Sequence, residues 1–164
     1  MPTRRDLLKL SAVAAGACLG VLPAASARAQ SATSLAIVVA KNSPIRELTQ
    51  FELKKLYLGT LITDPSGERI IPFNQNPNAP DRVLFEDRVL GMTPEEVARF
   101  WIERKIRGQG LAPKAVSPAD LLQKVVSRLE HSVAYVRADQ VLPDVRVILI
   151  DGRLPGDGSY GLST

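Results

Sequence analysis

Six consecutive apolar residues, Leu35-Ala36-Ile37-Val38-Val39-Ala40, stand out from an otherwise mixed pattern. A run that is apolar and partly β-branched at every position has no solvent face, so it predicts a strand buried on both sides. The rhythm then becomes helical. Phe51, Leu53, Leu56 and Tyr57 supply apolar positions behind Thr49 and Glu52, which have capping-box spacing, and Gly59 ends the helix. Asp64-Pro65-Ser66-Gly67 predicts a tight turn. Ile70-Ile71-Pro72-Phe73 predicts a second strand, and its proline points to an edge position or an early strand end.

A polar loop, Asn74-Gln75-Asn76-Pro77-Asn78-Ala79-Pro80, leads into a helix expected over about Asp81–Leu90. Thr93-Pro94-Glu95-Glu96 opens the next helix with a cap, a proline at the first position and a capping-box glutamate. Val97, Phe100, Trp101 and Ile106 give that helix its apolar side, and Gly108-Gln109-Gly110 stops it. Ser117-Pro118-Ala119-Asp120 predicts a third capped helix with Leu121, Leu122, Val125, Val126 and Leu129 at helical spacing. Two apolar runs, Val133–Val136 and Val145–Ile150, read as closing strands, and the tail after Asp151 reads as loop. Strands and helices in this order predict an α/β domain built on one sheet, with no internal repeat.

The first 29 residues follow a different logic. Arg4-Arg5 precede an apolar run from Leu10 to Leu22, and Ala27-Arg28-Ala29 supplies a small-x-small cleavage site ahead of Gln30. Thr3-Arg4-Arg5-Asp6-Leu7-Leu8-Lys9 resembles a twin-arginine leader, with an ordinary secretory leader as the alternative. The run is shorter than the ~20 residues a membrane span needs. The expectation is therefore a signal peptide over 1–29, an exported periplasmic protein over 30–164, and no membrane embedding after cleavage.

Charge and composition then narrow the function classes. The leader holds four of the 21 Lys and Arg residues and one of the 17 Asp and Glu residues, leaving 17 basic against 16 acidic, a balance of +1. A near-neutral chain lacks the basic footprint of a nucleic-acid binder. The single cysteine, Cys18, goes with the leader, so neither a disulfide nor a thiol site is expected. With His131 as the only histidine, a zinc site of the usual His/Cys type cannot be assembled, and no nucleophile elbow accompanies it. Glu130-His131 reads as a helix end with a cation near the dipole. No catalytic residue, metal or cofactor is expected.

The polar loop is the remaining chemistry. A strand ending in Asn74-Gln75-Asn76-Pro77-Asn78 and turning into a helix offers amide donors beside unpaired helix N–H groups, a setting that favours small anions. Asn42 and Ser43, at the end of the first strand, would face the same crevice if the strands run parallel. The other reading is that Asn, Pro and Ser here simply make loops and caps. Arg82 reads equally as a ligand donor or as a surface partner of a carboxylate.

Several stretches together resemble phosphate-type periplasmic solute-binding proteins of ABC transporters. Leu48-Thr49, Glu52-Leu53 and Leu56-Tyr57-Leu58-Gly59 are similar to the family's L-T-x-x-x-L-x-x-I-[FY]-x-G stretch. Ile70-Ile71-Pro72-Phe73 is similar to its strand before the phosphate loop. Trp101 with Gly108-Gln109-Gly110 resembles its later Trp and Gly-rich turn. Ser132-Val133-Ala134-Tyr135-Val136 is similar to G-A-I-G-Y-V, and Asp151-Gly152-Arg153-Leu154-Pro155 with Tyr160-Gly161-Leu162 to D-G-x-x-P … Y-P-L.

The resemblance covers roughly residues 35–162 and implies one three-layer α/β domain, like one lobe of a type 2 periplasmic binding protein. It implies phosphate or a similar small anion as ligand, for ABC transport or sensing, and an ABC permease or other envelope protein as partner. The candidate donors are Asn42, Ser43, Asn74, Gln75, Asn78 and Arg82. Departures are visible. The family's loop arginine falls near Asn74 or Gln75, its Ser-Gly-Thr is replaced by Ala79-Pro80-Asp81, and His131 and Ala134 stand at glycine positions. These departures, together with a span of about one lobe, keep a second reading open: a periplasmic interaction or adaptor module that has lost solute binding.

Overall fold

The computed structural model describes residues 34–163; the leader, its arginine pair and its cleavage site lie outside the described residues. The chain runs β1 (Leu35–Ala40), β2 (Glu47–Leu48), α1 (Gln50–Tyr57), β3 (Ile71–Asn74) and α2 (Pro80–Phe85), which continues into a π-helical turn (Glu86–Leu90). Then come α3 (Pro94–Ile106), β4 (Lys114–Ala115), α4 (Ala119–Val126), β5 (Ser132–Arg137), a 3-10 turn (Ala138–Gln140), β6 (Val145–Val147) and β7 (Leu149–Ile150). The main sheet has the order β4-β3-β5-β1-β6, and β2 with β7 forms a small parallel pair.

β1 explains the layering. All six of its residues are buried, and their alternation sends Leu35, Ile37 and Val39 to one face and Ala36 and Val38 to the other. The first face packs on α1, the α2 stretch and α3 through Leu53, Leu56, Tyr57, Phe85, Val97 and Trp101. The second face packs on α4 through Leu122 and Val126. β5 splits likewise, Val133 and Tyr135 against Ala134 and Val136. The result is a three-layer α/β domain, the α/β class expected from the element order and the layering implied by the resemblance.

Local signals behave as the sequence predicts. Thr49 and Glu52, and again Thr93 and Glu96, form complete capping boxes, and Thr or Ser caps of this kind are worth about 1 kcal/mol each. Several details differ. Phe51 is 65% exposed, because it lies two residues before Leu53 and so projects from the opposite side of α1. Ile106 is 80% exposed, since the buried stripe of α3 runs through Val97 and Trp101. Pro118, without a side-chain hydrogen bond, caps α4 instead of Ser117, and Leu121 and Leu129 are exposed. The closing run Val145–Ile150 is divided between the two sheets.

The direction of β1 has the largest consequence. It is antiparallel to both neighbours, whereas β3 is parallel to β5 and to β4. The carboxyl end of β1 therefore lies at the opposite end of the sheet from that of β3. β3 is internal, but β4 pairs only with Phe73 and Asn74, so at Pro72 the outer side of β3 is uncovered. The missing N–H of Pro72 thus costs no ladder bond there.

Candidate functional site

β3 delivers Asn74 and Gln75 at its carboxyl end, and both are buried. The Asn74 carbonyl accepts from the Val116 N–H at 2.9 Å, which anchors the start of the loop to the chain leaving β4. Asn74 Oδ1 accepts from the Tyr135 hydroxyl and, at 3.0 Å, from the Gln75 N–H. Gln75 Nε2 donates to the Tyr135 carbonyl at 3.0 Å. The Asn74 amide nitrogen has no partner among the described residues, so it is an uncommitted side-chain donor.

Tyr135 is held firmly. Phe85 stacks on it with centroids 4.0 Å apart and planes 6° from parallel, and Tyr57 tilts against both rings at 4.6 and 5.8 Å. Such aromatic pairs add about 0.5–1.5 kcal/mol beyond their buried area. The Tyr57 hydroxyl donates to the Phe73 carbonyl at 2.8 Å. Burial pushes both phenols up, and for Tyr57 the neighbouring Tyr135 adds to it, so both hydroxyls act as neutral donors.

Arg82 reaches back from α2 to the same root. Its Nη1 donates to the Gln75 carbonyl at 2.9 Å, and its Nε pairs with Glu86 Oε1 at 2.7 Å. The side chains are 13% and 2% exposed, so this is an ion pair one helical turn apart with a buried carboxylate and a partly buried guanidinium. The Arg82 charge is balanced within the fold. Asn78 is exposed on the loop, and the backbone N–H groups of Asn76, Asn78 and Asp81 have no partner among the described residues. Burial pushes the Asp81 carboxyl up. A hydrogen bond from the Gln75 side chain and the charge of Arg137 pull it down, Asp139 pushes it up, and the net direction is upward.

Asn74, Gln75, Asn78 and Arg82 are thus brought together. Asn42 and Ser43 are not: they lie beyond the carboxyl end of β1, at the far end of the sheet, because β1 runs against β3 and β5. Asn42 Nδ2 donates to Glu130, and Ser43 is buried with its hydroxyl accepting from the Ile45 N–H at 3.3 Å. His131 also stands at that far end, not at a helix terminus. Its Nδ1 lies 2.6 Å from Oδ2 of the buried Asp64. Burial pushes Asp64 up, but bonds from the Ser66 side chain, His131 and the backbone of Ser66 and Glu68 outweigh it and hold the carboxyl at about 2. The bond to Asp64 raises His131.

Sequence reasoning did not single out Tyr135, Glu86, Tyr57 or Phe85 as parts of this root. One usable signal was present: Glu86 follows Arg82 by four positions and sits between Phe85 and Val89, on a face that must be buried.

No family model and no curated protein matches the sequence. Solved structures do match the fold. An ABC-type phosphate transport receptor from Vibrio cholerae superposes with a TM-score of 0.62 at 20% identity, over 79% of this chain and 53% of that one. A Clostridium perfringens protein solved with bound phosphate gives 0.60 at 20% identity, over 74% and 46%. PstS from Borrelia burgdorferi gives 0.60 at 13% identity, over 79% and 54%. The fold is that of a phosphate-receptor lobe. The chain spans about half the length of these structures.

Proposed function

We propose that this protein is an exported, solute-binding-like protein that receives phosphate or a similar small anion at the β3–α2 loop and serves ABC transport or sensing in the periplasm. The observation that carries the reading is the conjunction of a phosphate-receptor lobe fold with a loop whose N–H groups at Asn76, Asn78 and Asp81 are unpaired beside the free amide of Asn74. Loop amides and a first-turn helix amide, with a side-chain donor beside them, suit an oxyanion, because their partial charges favour negative charge. An ABC permease is the partner this role would require.

With Arg82 balanced by Glu86, the donors are neutral, and recognition rests on hydrogen bonds to a charged ligand at roughly 1.5–3 kcal/mol each. Calorimetric titration with phosphate, then sulfate and molybdate, tests the reading. Saturable binding is expected, and Asn74→Asp should weaken it by at least about tenfold. That variant keeps the oxygen that Tyr135 and Gln75 need but turns the free donor into a repelling acceptor. Absence of heat with every anion, in folded protein, sinks the anion site and turns attention to the adaptor reading.

A further inference from the structure

We infer that the cleft beside Trp101 is a second ligand site, built for a small carboxylate with an apolar body. It is independent of the phosphate reading and lies at the amino-terminal end of β3, whereas Asn74 and the polar loop lie at its carboxyl end. β4 begins only at Lys114, so residues 111–113 run beside the uncovered start of β3 without pairing to it. A cavity of about 170 Å³ opens there, its apolar lining including Leu56, Ile70, Trp101, Leu111 and Pro113.

The charges around it are of one sign. Arg69 and Lys114 line the cavity, no acidic residue does, and neither cation has a carboxylate partner among the described residues. A third cation, Arg104, stands beside Trp101 without lining the cavity. The Arg104 guanidinium lies 5.8 Å from the Trp101 ring, one of its nitrogens donates to the Gln109 carbonyl at 2.9 Å, and its buried Nε has no hydrogen-bond partner.

Two lining cations with no lining carboxylate give the cleft a positive potential that selects an anion. The apolar side chains among the lining cannot solvate a bare oxyanion on all sides, so the cleft selects one that carries hydrocarbon. The size agrees, since a cavity of about 150 Å³ accepts benzene. Benzoate has the matching shape and charge, and it serves as the probe.

The protein contains a single tryptophan, so its fluorescence reports on this cleft alone. Titrating the full chain with benzoate should change Trp101 emission saturably. Benzyl alcohol, with the same ring and no charge, should bind at least about tenfold more weakly. Arg69→Gln combined with Lys114→Gln should reduce benzoate to the level of the alcohol. Both side chains are exposed, so the unfolding midpoint should stay put. Saturating phosphate should leave the benzoate curve unchanged. The proposal is overturned if neither fluorescence nor calorimetry registers saturable benzoate binding. It is equally overturned if the alcohol binds as well, if the double variant binds unchanged, or if phosphate competes.

Discussion

Arg82 carries a positive charge to the root of the β3–α2 loop, where Glu86 takes it up at 2.7 Å, the carboxylate buried and the guanidinium partly so. A buried pair of this kind gives little net stability, but removing one member leaves the other charged and desolvated. Arg82→Ala should therefore lower unfolding free energy by about 3–5 kcal/mol in urea titrations. Replacing both members with apolar residues, Arg82→Met with Glu86→Leu, should recover most of that loss. A loss under about 1 kcal/mol for the single variant would mean the pair is solvated and its charge still available to a ligand. The i,i+4 spacing makes the pairing legible in the sequence. The burial is not legible, because it comes from Tyr135 and Phe85 closing over the root, and Tyr135 lies far along the chain. Asn74 was legible as a donor at a strand end. That its oxygen is committed to Tyr135, leaving only the nitrogen free, depends on the same long-range contact.

Elements are set mostly by local chemistry, and here the sequence reads well. Both capping boxes, the proline at the first position of α3 and the double-faced burial of β1 follow from residues within a few positions of each other. The end of α1 shows where a local rule meets a tertiary one. Gly59 has φ +88°, where an L residue is strained, and a Cβ built there would stand 3.0 Å from the Trp101 ring. Gly59→Ala should cost about 1–2 kcal/mol from the backbone alone, with the ring contact adding to it. A lowered urea midpoint together with altered Trp101 fluorescence would register both effects. An unchanged midpoint would contradict the packing described. Phe51 and Leu121 are exposed because eight-residue helices leave several apolar phases open and packing against the sheet selects among them, while Ile106 is the last residue of α3, beyond its buried stripe.

Across the whole molecule, strand order and direction decide which ends meet. Apolar runs identify β1, β3 and β5, but pairing is made between residues distant in sequence, so the antiparallel placement of β1 was not legible. That one fact separates Asn42 and Ser43 from Asn74, Gln75, Asn78 and Arg82. It also sets His131 with Asp64 at the end away from the polar loop. The resemblance of scattered motifs to phosphate-type binding proteins anticipated the fold better than periodicity did, since it drew on the order of elements along the chain. The structural matches extend that likeness over roughly half of each receptor.

The most direct measurement is a map of backbone amide chemical shifts on addition of phosphate. An anion seated on the β3–α2 loop predicts saturable shifts concentrated at the amides of Asn76, Asn78 and Asp81, with the Asn74 side-chain amide moving alongside them. Shifts centred instead on Asn42, Ser43 and Glu130, or none at saturating phosphate, would contradict it.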